Sequence, residues 1–162
     1  HTNYVYSVEF NNDGTKIVSG SLDGTIRVWN VDTGECILIL EDHTDGVWSV
    51  GFNHDGTKIV SGSRDETIRV WNVDEKSDKY GKCILKLEVD SMVNSVGFNN
   101  DGTKIVAGIY DKTIRVWDVK GILIQIIEFD EVSIISSVKF NKDGTKIIAS
   151  SYNKKIKLFG LE

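Results

Sequence analysis

The sequence predicts an all-β fold built from one unit used four times, and three observations carry that prediction. First, "VYSVEF" (5–10), "VWSVGF" (47–52), "VNSVGF" (93–98) and "ISSVKF" (135–140) recur at offsets of 42, 46 and 42 residues, a period that marks repeat architectures. Second, each of these segments runs into "NNDG", "NHDG", "NNDG" or "NKDG", and Asp-Gly between β-type runs is a strong tight-turn signal. Third, β-branched residues fill the runs between turns, as half-buried pleated surfaces prefer. No segment holds a helical period long enough to compete.

The elements follow in the same order in each repeat. The "VxSVxF" segment is the first strand, "TKIVSGS" or its variant the second, and "TIRVWN" the third. A fourth run follows in three repeats: "CILILE" (36–41), "CILKLE" (83–88) and "ILIQIIEF" (122–129). The fourth repeat ends at "IKLFGLE" (156–162) with no outer run, so 15 strands are expected. The longer second repeat carries its extra residues in "DEKSDKYGK" (74–82), a charged stretch that reads as a surface loop. With no proline in the chain, Asn, Asp and Gly must make the turns. A four-stranded unit of this size cannot bury both faces alone and must stack on copies of itself. That is the logic of a propeller blade. The expected organisation is one domain, 1–162, with blades at about 1–42, 43–88, 89–130 and 131–162.

Composition narrows the function classes. Apolar residues make up 40% and charged residues 27% of 162 positions, in the range of a packed soluble domain. No apolar run approaches the ~20 residues of a membrane helix, so no membrane partner is expected. The net charge of -5 argues against nonspecific nucleic-acid binding, which rewards Lys and Arg clusters. Cys36 and Cys83 occupy one register in successive repeats, without a His or Cys at metal-ligand spacing. They read as small apolar strand residues in a reducing, cytoplasmic setting. No metal or cofactor is expected: the NxDG turns lack the further acids of a calcium loop, and no Gly-rich phosphate loop precedes a helix. His54, in one such turn, reads as exposed and idle. A chain opening at His1, without an initiator methionine or targeting segment, reads as a fragment, a processed product or a trimmed chain.

"GSLDGTIRVWN", "GSRDETIRVWN" and "GIYDKTIRVWD" resemble the WD-repeat family of β-propellers, and the resemblance covers the whole chain. Only the third repeat has the literal pair, Trp117-Asp118. The first two have Trp29-Asn30 and Trp71-Asn72, and Asp42-His43 stands where the family has Gly-His. The resemblance implies a buried chain of His, Ser, Asp and Trp in each blade. Position by position this gives His1, Ser19, Asp23 and Trp29, then His43, Ser61, Asp65 and Trp71. The third repeat keeps Asp111 and Trp117 but has Val89 and Ala107, and the fourth has Glu131, Ala149, Asn153 and Phe159. Ser, His and Asp are also the ingredients of nucleophilic catalysis. A set that recurs once per blade and ends on an indole in need of a buried acceptor reads as structural. His1 is the expected weak member, because a terminal residue frays.

The resemblance further implies a noncatalytic scaffold that docks protein or peptide partners on one rim. That rim holds the loop before the first strand and the turn after the second. Carried over, it comprises Leu22, Arg64, Tyr110 and Tyr152 before the tetrad Asp, and Tyr6, Trp48 and Asn94 on the inner strands. Tyr4 and Met92 stand two residues earlier. Aromatics and Arg are the types enriched in binding hot spots.

Four blades are fewer than the seven or eight with which the family usually closes. Residues 1–42 carry seven acidic and two basic side chains, a net of -5, and residues 131–162 three acidic and six basic, a net of +3. Two expectations follow: a homodimer in which blade 1 of each copy meets blade 4 of the other, making eight blades, or a piece of a longer propeller. Lys154, Lys155 and Lys157 are expected to guard the last edge strand.

Overall fold

The computed structural model describes residues 1–129 and 133–161. Its secondary structure is β throughout, in four antiparallel sheets each wound in chain order. Blade 1 contains β1 (Val5–Phe10), β2 (Lys16–Ser21), β3 (Ile26–Asn30) and β4 (Cys36–Leu40). Blade 2 contains β5 (Val47–Phe52), β6 (Lys58–Ser63), β7 (Thr67–Asn72) and β8 (Lys82–Glu88). Blade 3 contains β9 (Val93–Phe98), β10 (Lys104–Ile109), β11 (Thr113–Asp118) and β12 (Leu123–Glu128). Blade 4 stops at three strands: β13 (Ile135–Phe140), β14 (Lys146–Ser151) and β15 (Ile156–Gly160). The all-β propeller arrangement of four blades and 15 strands, the last sheet short by one, is the one predicted from the sequence.

The first turn of every blade is made by the same chemistry. In blade 1 the Asp13 carboxylate accepts the Thr15 N–H at 2.9 Å and its hydroxyl at 2.6 Å, while Asn11 Oδ1 accepts the Lys16 N–H at 2.9 Å. Gly14 then takes the left-handed conformation at φ 74°, which costs a glycine nothing. Asp55, Asp101 and Asp143 repeat the pattern. These bonds from threonine hold all four carboxyls below the usual carboxylate range.

The core lies between blades. One apolar cluster joins Val18, Ile26 and Val28 of blade 1 to Val47, Val50 and Trp71 of blade 2. A second joins blade 2 to blade 3 through Val60, Ile68 and Val93, and a third joins blade 3 to blade 4 through Val106, Ile114 and Ile135. Each joint closes over a glycine. A Cβ on Gly20 would stand 2.8 Å from Val47, one on Gly62 2.5 Å from Val93, and one on Gly108 2.6 Å from Ile135. Each joint also carries one polar stitch. The Ser7 hydroxyl accepts the Val50 N–H at 3.1 Å, Ser49 the Val96 N–H at 3.0 Å, and Ser95 the Val138 N–H at 3.1 Å. These serines line the inner groove as structural acceptors for otherwise unpaired backbone donors.

On the last edge, Lys157 departs from the expected guard. Its ammonium donates to the Phe129 carbonyl at 2.5 Å and lies over the Phe129 ring, 5.1 Å from its centroid. The lysine therefore clamps the end of blade 3 to blade 4. An aromatic face beside an acceptor holds a cation more strongly than open water would.

Candidate functional site

The His-Ser-Asp-Trp chains form in blades 1 and 2 with the same geometry. In blade 2, His43 Nδ1 lies 2.8 Å from Asp65 Oδ2 and Nε2 lies 2.7 Å from Ser61 Oγ. A carboxylate only accepts, so Nδ1 carries the proton and Nε2 accepts the Ser61 hydroxyl. Ser61 Oγ in turn accepts the Trp71 indole N–H at 2.9 Å. Thr67 gives Asp65 both its hydroxyl, at 2.6 Å, and its N–H, at 3.0 Å, and the Thr44 N–H adds a third donor group at 3.1 Å. Burial works to raise the Asp65 pKa. The bonds from His43 and Thr67, the adjacent imidazole and the Thr44 N–H outweigh it and hold the carboxyl well below the usual range.

Blade 1 repeats this with His1 Nδ1 to Asp23 at 3.0 Å, Nε2 to Ser19 at 2.7 Å, and Trp29 to Ser19 at 2.8 Å. Three groups hold the His1 ring: Asp23, Ser19 and the Thr25 hydroxyl. Burial opposes ionisation of Asp23, and the Thr2 N–H and Thr25 bonds prevail, so its carboxyl also sits low.

Catalysis by these triads meets a steric objection. Ser61 is 0% exposed and the His43 side chain likewise, so no substrate carbonyl reaches the hydroxyl. What the chain achieves is satisfaction of buried donors and acceptors, with the loop before β5 tied to the turn after β6.

Blades 3 and 4 replace this network differently. In blade 3, Val89 and Ala107 are buried where His and Ser would stand. Asp111 takes its charge partner from Arg115, four residues along the same hairpin. Burial works to raise Asp111, and the Thr113 and Arg115 bonds hold it low. Arg115 was not legible as a substitute, because Arg27 and Arg69 occupy the same register without that role. In blade 4, Ala149 is buried, Asn153 is exposed, and Phe159 packs against Phe129 with ring centroids 6.0 Å apart. Glu131 lies outside the described residues.

The rim residues come together in pairs fixed by backbone bonds. Leu22 N–H donates to Tyr4 O at 2.8 Å, Arg64 to Gly46 at 2.9 Å, Tyr110 to Met92 at 2.8 Å, and Tyr152 to Ile134 at 3.1 Å. In every blade the residue before the tetrad Asp, or before Asn153 in blade 4, thus sits beside the residue just before the inner strand. The second inner-strand position has a feature that the sequence did not reveal. The ladder register shifts there in all four blades, at Tyr6, Trp48, Asn94 and Ser136. A bulge re-aims one side chain, and here it does so at one rim position per blade.

Exposure sorts the set. Tyr4, Tyr6, Arg64, Tyr110 and Tyr152 are exposed, and Leu22 and Met92 are half-buried. Trp48 is half-buried with its ring 5.7 Å from that of Tyr6. Asn94 is buried and donates to Ile135 O at 2.9 Å, which makes it part of the joint between blades 3 and 4. Among the described residues, no cluster of three or more His, Cys, Asp or Glu is placed to hold a metal, and no helix is long and apolar enough to cross a membrane.

A family model described as "WD domain, G-beta repeat" matches four stretches, residues 1–30, 34–72, 81–118 and 123–160. The chain belongs to the WD-repeat family. Its WD repeats are similar to parts of three much longer proteins. Mitochondrial division protein 1 of Aspergillus clavatus is 42% identical over 43 residues, which is 26% of this chain and 7% of that protein. The ribosome biogenesis protein BOP1 homolog of Arabidopsis thaliana is 44% identical over 39 residues, 24% of this chain and 5% of that protein. The U3 small nucleolar RNA-associated protein 21 of Saccharomyces cerevisiae is 49% identical over 37 residues, 23% of this chain and 4% of that protein. The similarity to each spans about one repeat, so it supports the repeat type. WD-repeat domains are in general noncatalytic interaction scaffolds, and that coarse role holds for the family to which this chain belongs.

Proposed function

We propose that this chain is a noncatalytic scaffold that binds a protein or peptide partner on the rim carrying Tyr4, Tyr6, Leu22, Trp48, Arg64, Met92, Tyr110 and Tyr152. The observation that carries the reading is the repeated backbone bond that sets one variable residue per blade beside another. The side chains so presented are rich in exposed tyrosine. Large, stiff aromatic groups give contact area at low conformational cost, and an immobile β framework suits a surface of that kind.

Arg64 stands 3.8 Å from Asp45, so a partner that engages the guanidinium must compete with that carboxylate. A reducing, cytoplasmic setting is part of the proposal. The test is a photo-crosslinking amino acid placed at Tyr110 and, separately, at His54 on the opposite turns. Partner adducts at Tyr110 and not at His54 support the rim. The reverse pattern moves binding to the NxDG side.

A second reading is favoured by a specific observation: β1 and blade 4 each leave apolar side chains exposed that the other blades bury. On this reading the chain assembles with another set of blades, either a second copy or further blades of a longer chain.

A further inference from the structure

A groove of about 390 Å³ runs along the inner strands β1, β5, β9 and β13, within the size of a small-ligand cleft. Its hydrogen-bonding groups come from the backbone. Val50, Val96 and Val138 turn their N–H groups out of their own sheets, onto Ser7, Ser49 and Ser95. Asn53, Asn99 and Asn141 send theirs back to Lys58, Lys104 and Lys146 within the blade. Alternate N–H groups of a strand share a side, so Phe52, Phe98 and Phe140, two residues after the valines, also point theirs out of the sheet. The Phe52 N–H is met by the Glu9 carboxylate at 2.9 Å. The register of Glu9 holds Gly51 in blade 2 and Gly97 in blade 3, and a glycine has no side chain to reach the next blade. Among the described residues, Phe98 and Phe140 therefore lack the acceptor that Phe52 has.

Two further observations give this gap a chemistry. A Cβ on Gly97 would meet nothing within 4 Å, whereas one on Gly51 would stand 2.8 Å from the Glu9 carboxylate. The space before Phe140 is thus open where the space before Phe52 is filled by a carboxylate. Lys139 holds the same register in blade 4 and lines the groove together with Glu9. Their charges act on each other across it. Burial raises the Glu9 carboxyl above the usual range, and the Phe52 N–H and the Lys139 ammonium oppose that rise. Unpaired backbone donors call for an acceptor, and a neighbouring ammonium favours an anionic one.

We propose that the groove binds the carboxylate of a small organic acid, which accepts the Phe98 and Phe140 N–H groups as Glu9 accepts that of Phe52, with Lys139 as its counter-charge. Glu9 is the protein's own precedent for the contact. A carboxylate suits the place better than a phosphate, because Glu9 remains in the groove and a second negative charge on the ligand meets it. The site lies at the NxDG end of the inner strands, opposite the end that carries Tyr6, Trp48 and Asn94, so it leaves the rim open to a partner of its own.

The experiment follows the backbone amide resonances of the isotope-labelled chain while acetate replaces chloride at constant ionic strength, with near-UV circular dichroism as the control for fold. The expected result is a saturable shift of the Phe98 and Phe140 amides, with the Phe52 amide unmoved. Gly97→Glu supplies the missing carboxylate from within, so the Phe140 amide moves without ligand and its response to acetate is lost. Lys139→Gln weakens acetate binding by roughly two- to fivefold, the worth of an exposed ion pair. Shifts at Phe98 and Phe140 no larger than at Phe52 overturn the proposal. So does an acetate response that Gly97→Glu leaves unchanged in the folded chain. Inorganic phosphate and a capped peptide with one glutamate are titrated alongside. Weaker responses to both support a small acid, and tighter binding of either overturns it.

Discussion

Blades 2 and 4 share a backbone plan and almost nothing of what fastens it. Blade 2 is closed on both sides, has four strands, and locks its first loop to its second turn through His43, Ser61, Asp65 and Trp71. Blade 4 is closed on one side, has three strands, and is held by Phe159 against Phe129 and by Lys157 on the Phe129 carbonyl. The comparison teaches that the repeat's strand pattern suffices to make the sheet. The buried polar chain is a separate layer that fixes one loop to one turn. Where that layer is absent, apolar packing and a cation over an aromatic ring take its place.

The sharpest break falls at the glycine registers. Gly62→Val drives a branched side chain into Val93 and Val96, whose methyls already lie 2.5 and 2.8 Å from the Cβ position. Overpacking of this kind costs about 3 kcal/mol, read as a loss of denaturation midpoint. Ser150→Val in blade 4 meets no following blade within one chain and costs less than about 0.5 kcal/mol in dilute solution.

A smaller effect separates the tetrad positions. Asp65→Ala leaves the His43 N–H and the Thr67 donors without an acceptor and costs about 1–3 kcal/mol. Asn153→Ala, at the matching exposed register, costs less than about 0.5 kcal/mol. Equal shifts in melting temperature would remove the distinction between the two blades. The same group sets an acid limb. The folded pKa of Asp65 lies below its ordinary 3.8, so its stabilisation is complete above that value and drains as pH falls through it and beyond. Asp65→Asn therefore loses less stability than the native chain between about pH 5 and pH 2, as measured by urea denaturation at each pH.

The smallest effect is a gain. The second turn places Gly24, Glu66, Lys112 and Lys154 at φ of 80°, 65°, 75° and 70°. Only glycine adopts this conformation without strain. Glu66→Gly raises stability by about 0.5–1 kcal/mol in blade 2, the region where the strained turn also carries the tetrad Asp.

Much of this was legible in the sequence, because a period near 42 residues with Asp-Gly turns leaves few alternatives. Strand order and the missing outer strand follow from aligned registers, and the partners of His43 are those that the WD-repeat resemblance implies. What stayed hidden depends on where a long side chain turns or where a ladder slips. Arg115 swings onto Asp111, whereas Arg27 and Arg69 in the same register do not. Lys157 folds inward onto Phe129 in place of guarding the edge. The bulge at Tyr6, Trp48, Asn94 and Ser136 has no composition of its own, since four different residues occupy it. Asn94 falls inside a joint, where its amide donates to the Ile135 carbonyl of the next blade. The left-handed residues Glu66, Lys112 and Lys154 did carry a signal, their shared register with Gly24.

The central claim is that the polar chains serve the fold while the rim serves binding. The most direct test is the recovery of the crosslink-identified partner per folded molecule, compared between Ser61→Ala and the Trp48→Ala/Tyr110→Ala pair. The account predicts that Ser61→Ala lowers the melting temperature and leaves recovery unchanged, and that the rim pair melts nearly as the native chain does and recovers little or nothing. Loss of recovery with Ser61→Ala at full folding, with the rim pair still binding, would contradict it.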